Sequence, residues 1–225
     1  MNWLAKYPVR RDSKSIALLA VFTAMVVVLE VFPIPGITDL KFYPEGVPFT
    51  IDWTGIPLII IFIGLGFAYS LLSVLMMFIA IAYRNFPGAV FKGFAEFFTI
   101  VGLVFAKLLI RERIVDKKRT MITYLVFGIV FRSIGMFVMN IVLLPIFYPL
   151  WYTIDHAVVV SGVLVPWNMA QAIINIVGGV FLYNLIPENL ALQAGLGDGV
   201  DSTSSRVEDL SLEELAEAET EQSDG

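Results

Sequence analysis

Trp53–Tyr83 reads WTGIPLIIIFIGLGFAYSLLSVLMMFIAIAY, an apolar stretch with no acidic or basic side chain. A helix needs roughly 20 residues to cross the hydrocarbon of a bilayer, so the run is too long for one ordinary span. Gly64-Leu65-Gly66 near its middle predicts two short helices joined by a tight turn. Outer-membrane barrels show short alternating segments, and this run is continuous. Lipid is therefore the expected solvent, and the rest of the chain agrees. Hydrophobic residues make up 58% of the 225, charged residues only 16%, and the mean hydropathy is +0.81, too little charge for a water-solvated surface.

Working outward, a first span is expected at Ser15–Phe32, ended by Pro33-Ile34-Pro35-Gly36. It follows basic Lys6, Arg10, Arg11 and Lys14 but has no small-residue cleavage pattern, so it reads as a retained helix. The loop to Asp52 comes next, then the two short helices and the turn Arg84–Gly88. Ala89–Ile110 is a fourth span, the charged loop Arg111–Thr120 follows, and Met121–Leu144 is a fifth span stopped by Pro145. Ile146–Val165 reads as an amphipathic connection carrying Asp155 and His156, and Pro166–Leu185 as the last span, closed by Pro187. The expected fold is an all-α integral membrane bundle of six transmembrane helices.

Charge placement orients that bundle. Eleven basic residues (Lys6, Arg10, Arg11, Lys14, Lys107, Arg111, Arg113, Lys117, Lys118, Arg119 and Arg206) fall on the side of the N-terminus, against Lys41 and Arg84 opposite. The positive-inside rule makes that side cytoplasmic, and six helices put both termini there. The net charge of −5 belongs to one end: Asp198–Gly225 holds ten acidic residues and one base, leaving 14 basic and 10 acidic elsewhere. Three parts are expected: a basic cytoplasmic N-terminus at 1–14, the membrane domain at 15–187, and an acidic, disordered cytoplasmic tail at 188–225.

Polar groups inside hydrocarbon are costly and usually face a cavity or another helix. Lys92 and Glu96, four apart, share a helix face, where they either neutralise one another or border a substrate cavity. Arg132 lies mid-span and is expected to pair with a neighbouring helix, whereas Glu30 is expected to be interfacial. Asn168, Gln171 and Asn175 line one face of the last helix, with Asn140 late in the preceding one. Single buried amides are usually glue between helices. Three on a stripe suit a polar-lined pocket for an uncharged heterocycle or polyol.

Absences narrow the function. There is no cysteine and no GxxxxGK[ST] phosphate loop, and His156 is the lone histidine, so thiolate chemistry, P-loop ATP hydrolysis and a histidine-rich metal site are excluded. No metal or cofactor is expected, nor a nucleic-acid partner. A membrane-embedded enzyme would need clustered acids or histidines at one face, and a scaffold would not need the amide stripe.

Four stretches carry a resemblance: Ile16–Ala24, Ile51-Asp52-Trp53-Thr54-Gly55-Ile56-Pro57, Asn140-Ile141-Val142-Leu143-Leu144-Pro145-Ile146-Phe147-Tyr148, and Pro166-Trp167-Asn168-Met169-Ala170-Gln171. Together they resemble the substrate-binding S component of an energy-coupling-factor (ECF) vitamin transporter, most closely its riboflavin branch. The resemblance implies ligand contacts at Asn140 and Asn168, at Gln171 where the branch has a lysine, and at Glu96 and Asp52 as further pocket residues. It implies that Ala20 and Ala24 dock on the transmembrane coupling subunit, and that Gly55 stands where the family usually has a second acid. The implied protein is no enzyme. It captures riboflavin as cargo at the outer face of a prokaryotic plasma membrane, under a lid formed by Pro33–Asp52. It then works with the coupling subunit and two ATP-binding-cassette ATPases. Thiamine, pantothenate or a deazapurine precursor stay open as alternative cargoes because of Gln171.

Overall fold

In the computed structural model, the described residues are 12–44, 49–110, 117–187, 191 and 196. They form six helices and one small hairpin: α1 (Ser13–Val31), β1 (Asp39–Phe42), β2 (Phe49–Asp52), α2 (Gly55–Leu65), α3 (Phe67–Ala82), α4 (Phe86–Ile110), α5 (Lys117–Phe147) and α6 (Ile154–Leu185). Four of them, α1, α4, α5 and α6, are long and apolar enough to cross a membrane. The other two are shorter. At 1.5 Å per residue the 11-residue α2 is only about 16 Å long.

Side-chain distribution is inverted relative to a water-soluble bundle. Ile122, Val126, Val130, Ile134, Val138, Val142 and Ile146 wind along the outside of α5, while Glu96, Thr99, Arg132, Asn140, Asn168, Gln171 and Asn175 are buried. Exposed apolar groups cost nothing in hydrocarbon, and unpaired polar groups cost several kcal/mol there, about the penalty for an unsatisfied group with no water available. The main core surrounds α2, whose residues are all buried except Ile63. Leu58, Ile59 and Phe62 of α2 meet Met77 of α3, Ile100 and Leu103 of α4, and Ala172 and Ile176 of α6.

The turn expected at Gly64–Gly66 is realised at Gly66, with φ +97° and ψ −177°. That region is open to glycine and strained for any L side chain. Gly64 stays helical. A second glycine sets a helix crossing: a Cβ on Gly102 of α4 would stand 2.6 Å from the Phe127 carbonyl oxygen of α5. Only a residue without a side chain lets these two backbones approach so closely.

Three expectations need correction. Pro145 does not end the fifth helix, since α5 continues to Phe147, and Pro166 lies inside α6 and does not open it. A proline removes one helical donor, and packing against neighbouring helices can offset that in a membrane protein. The amphipathic connection therefore shrinks to the short stretch Tyr148–Thr153. His156, expected in a loop, sits in the first turn of α6, where Thr153 caps the helix and the His156 ring stacks on Tyr152. The loop between the first two helices carries the antiparallel hairpin β1–β2, with Asp39 facing Asp52 and Phe42 facing Phe49. The N-terminus and most of the acidic tail lie outside the described residues. Leu196 is an exception: it is buried against Ile61, Leu65 and Tyr69.

Candidate functional site

The hairpin closes one end of the bundle, where the C-terminal end of α1, the start of α4, the end of α5 and the start of α6 converge. Trp167 of α6 packs on the hairpin, its ring centroid 4.7 Å from Phe42 and 6.3 Å from Phe49. Trp53 ties the hairpin to the preceding turn by donating its indole N–H to the Ile37 carbonyl at 2.7 Å. Leu144 of α5 and Ala157, Val160 and Leu164 of α6 form a second, smaller apolar cluster with Phe49, Phe91 and Tyr152 packed against it.

From the hairpin a polar chain runs into the bundle. The Lys92 ammonium of α4 donates to the Glu30 carboxylate of α1 and to Asp52 Oδ2 at 2.7 Å. Asp52 Oδ1 accepts the Thr54 backbone N–H at 2.9 Å and the Thr54 hydroxyl, which fixes the start of α2. Gln171 of α6 pairs with the Asp52 backbone, and its Nε2 also donates to Asn175 Oδ1 at 2.8 Å. Asn175 Nδ2 donates to Glu96 Oε1 at 3.2 Å. Glu96 is held by Arg132 Nη1 at 2.8 Å, and the same nitrogen donates to Thr99 Oγ1 at 3.0 Å. Arg132 Nε is buried without a partner among the described residues.

This chain revises the expected pairings. Lys92 and Glu96 share a face yet do not pair with each other: Lys92 is taken by Glu30 and Asp52, and Glu96 by Arg132. Two separate pairs result because acids on other elements lie closer to Lys92 than Glu96 does. Glu30 is not merely interfacial but part of the Lys92 cluster, and Arg84 covers the end of the same helix by donating to the Glu30 carbonyl at 3.0 Å. A cation at a helix C-terminus also suits the helix dipole. Arg132 does pair with a neighbouring helix, as its mid-span position suggested.

Electrostatics follow from the geometry. Burial pushes the Asp52 carboxyl up, but the Lys92 charge and the hydrogen bonds from Lys92 and Thr54 outweigh it, holding the group below its ordinary value of 3.8. Asp52 is thus an anion fixed between hairpin and helices. No cluster of three or more metal-ligating side chains occurs among the described residues.

The amide stripe divides. Gln171 and Asn175 are spent within the polar chain, while among the described residues Asn168 donates only to the Leu164 carbonyl of its own helix, at 3.0 Å. Asn140 is buried on α5, and among the described residues no hydrogen bond joins its side chain to the chain of polar groups. Asp52, Gln171 and Glu96 are therefore connected, and Asn140 and Asn168 stand apart from them. Gly55 has a local reason: a Cβ there would collide with the Asn175 side chain, so glycine leaves room for that amide to reach Glu96. Ala20 and Ala24 are exposed on α1, and between them Thr23 donates to Ser73 of α3 at 3.0 Å. The Lys92–Asp52–Glu30 cluster was missed because its members come from three elements, and no spacing along the chain joins them.

No protein-family model matches the chain, and no curated protein aligns with it. Solved structures do. The S component of a bacterial ECF transporter superposes with a TM-score of 0.55 at 20% identity, covering 76% of this chain and 94% of that one. An S component for biotin from an ECF-type ABC transporter gives a TM-score of 0.48 at 19% identity, covering 79% and 95%. The first likeness shows that the six helices and hairpin have the fold of an S component.

Proposed function

We propose that this chain is the substrate-binding S component of an ECF-type importer, with riboflavin as its cargo. The observation that carries the reading is the S-component fold combined with buried amides at the hairpin end. Asn140 and Asn168 are buried on the adjacent helices α5 and α6, Asn168 next in sequence to the Trp167 that packs on Phe42 and Phe49, and neither is consumed by the polar chain. A ring with carbonyl and imide edges needs such donors and acceptors, and flat aromatic side chains to pack on. Glu96, Asp52 and Gln171 support this pocket from below.

In this reading all six helices lie within the membrane, with α2 enclosed by the others and α3 presenting Leu72, Leu75, Met76 and Ile79 to lipid. Both termini are cytoplasmic, the hairpin end faces outward, and the membrane is the plasma membrane of a prokaryote. Ala20 and Ala24 form the contact with the transmembrane coupling subunit, and two ATPases supply the energy that this chain does not harvest. A second cargo reading has one observation in its favour. Gln171 stands where the resemblance expects lysine and is already engaged by the hairpin backbone, which suits thiamine, pantothenate or a deazapurine as alternatives.

The test is direct. Purified protein is expected to be yellow, or to bind added riboflavin with quenching of flavin fluorescence. Asn140→Ala and Asn168→Ala should each weaken that binding by on the order of 1 kcal/mol, the value of one buried hydrogen bond. A colourless protein that ignores riboflavin removes the flavin assignment, and retained binding of another vitamin in the same assay would replace it.

A further inference from the structure

Gln171 makes a contact that a lysine cannot make. Its Oε1 accepts the Asp52 backbone N–H at 3.1 Å, and its Nε2 donates to the Asp52 backbone carbonyl at 2.7 Å. One side-chain amide thus satisfies both main-chain groups of the last residue of β2, as a neighbouring strand residue would. Asp52 is paired with Asp39 on the other side of the hairpin, so Gln171 serves as a one-residue continuation of the sheet on α6. Both residues are buried, Gln171 at 1% and Asp52 at 7% exposure, so water does not substitute for either bond. An ammonium group has three donors and no acceptor, and would leave the Asp52 N–H orphaned.

From this we infer that Gln171 is a positioning residue for the hairpin rather than a contact to the cargo. Asp52 is the pin at the hairpin's base: Gln171 holds its backbone to α6, while Lys92 holds its carboxylate to α4 and, through Glu30, to α1. The hairpin is thereby fastened to three helices through a single residue, and releasing it requires both attachments to break. Fastening the backbone through an uncharged amide leaves that half of the attachment indifferent to salt, whereas the Lys92 half is ionic. This deepens the S-component reading, because the hairpin covers the end at which cargo would enter, and it removes Gln171 from the residues that choose the cargo.

The chain has no native cysteine, so Thr50→Cys on β2 and Met169→Cys on α6, both exposed, can carry spin labels at two defined places in the full-length protein. Distance distributions would be recorded in lipid nanodiscs without any ligand, for Gln171, Gln171→Lys and Gln171→Met. Ser161→Ala, which removes a hydroxyl that donates to the Ala157 carbonyl of its own helix, is the control for general loosening of α6. The expected result is one narrow distance with Gln171 and with Ser161→Ala, and a broader or longer distribution with both Gln171 variants. An unchanged distribution in both variants overturns the inference, as does equal broadening in the control. Gln171→Lys keeps one of the two bonds and so remains readable should the methionine variant not fold. The outcome is independent of which vitamin binds, since none is present. Where riboflavin binds, Gln171→Met should raise association and dissociation rates together by about tenfold, equivalent to about 1.4 kcal/mol in each. A rise in the dissociation rate alone would mark a direct ligand contact and overturn the inference.

Discussion

The core around α2 and the seam between α4, α5 and α6 are both buried, yet they are built on opposite principles. Around α2, aliphatic and aromatic side chains from all six helices meet in one apolar cluster. Along the seam, Glu96, Arg132, Thr99 and Asn175 bond one another in a continuous chain that reaches Asp52 through Gln171. The difference teaches where specificity resides. An apolar core in lipid gains little from transfer out of water and depends on close packing, so substitutions that conserve volume are tolerated. A charged seam depends on pairing, and removing one member strands another in a medium that cannot solvate it.

The largest expected effect breaks the seam at its centre. Arg132→Met should lower stability in detergent by about 3–5 kcal/mol, because Glu96 is left as an uncompensated buried acid. Adding Glu96→Gln to the same protein should recover much of that loss, since an amide carries no charge to strand. If the double variant is no more stable than the single, the seam is not held by charge pairing. Thermal unfolding followed by size-exclusion chromatography reads both.

Next comes the crossing of α4 and α5, where core and seam meet. Gly102→Ala places a methyl group against the Phe127 carbonyl and should cost about 1–3 kcal/mol, the usual penalty of overpacking. A neutral result would mean the two helices can separate freely there. On the apolar side, Ile59→Val removes one methyl from a fully buried side chain and should cost about 0.5–1.5 kcal/mol by the same assay. A loss matching that of Arg132→Met would erase the proposed contrast.

The smallest effect concerns pH. Asp52 has a lowered pKa in the folded protein, so its contribution is present above the ordinary value of 3.8 and is lost as pH falls through the lower folded value. Hairpin order, read by the tryptophan fluorescence of Trp53 and Trp167, should hold between neutral pH and that acid limit. Asp52→Asn should remove the acid transition. A loss of order near pH 6 would point to another group.

Much of this was legible before any coordinates. The long apolar runs announced a membrane bundle, and Gly66 announced the break between α2 and α3, because glycine is the residue suited to the backbone angles found there. Arg132, too costly to leave alone in hydrocarbon, required a partner wherever the chain could supply one. Proline was misleading: Pro145 and Pro166 look like stops when read locally, yet tertiary packing carries both helices through them.

Sequence alone pointed to lipid as the solvent, to six helices and to Glu96, Arg132 and the amides as polar groups within them, because transfer free energies can be summed along the chain. It could not determine who pairs with whom. Lys92 and Glu96 are neighbours on a helix, but Glu30 and Asp52, 62 and 40 residues away from Lys92, claim the lysine, and Arg132 claims the glutamate. Nor could it show that Gln171 reads the Asp52 backbone across 119 residues. Pairing depends on distances of about 3 Å between elements, and only the packed arrangement of helices and hairpin sets those distances.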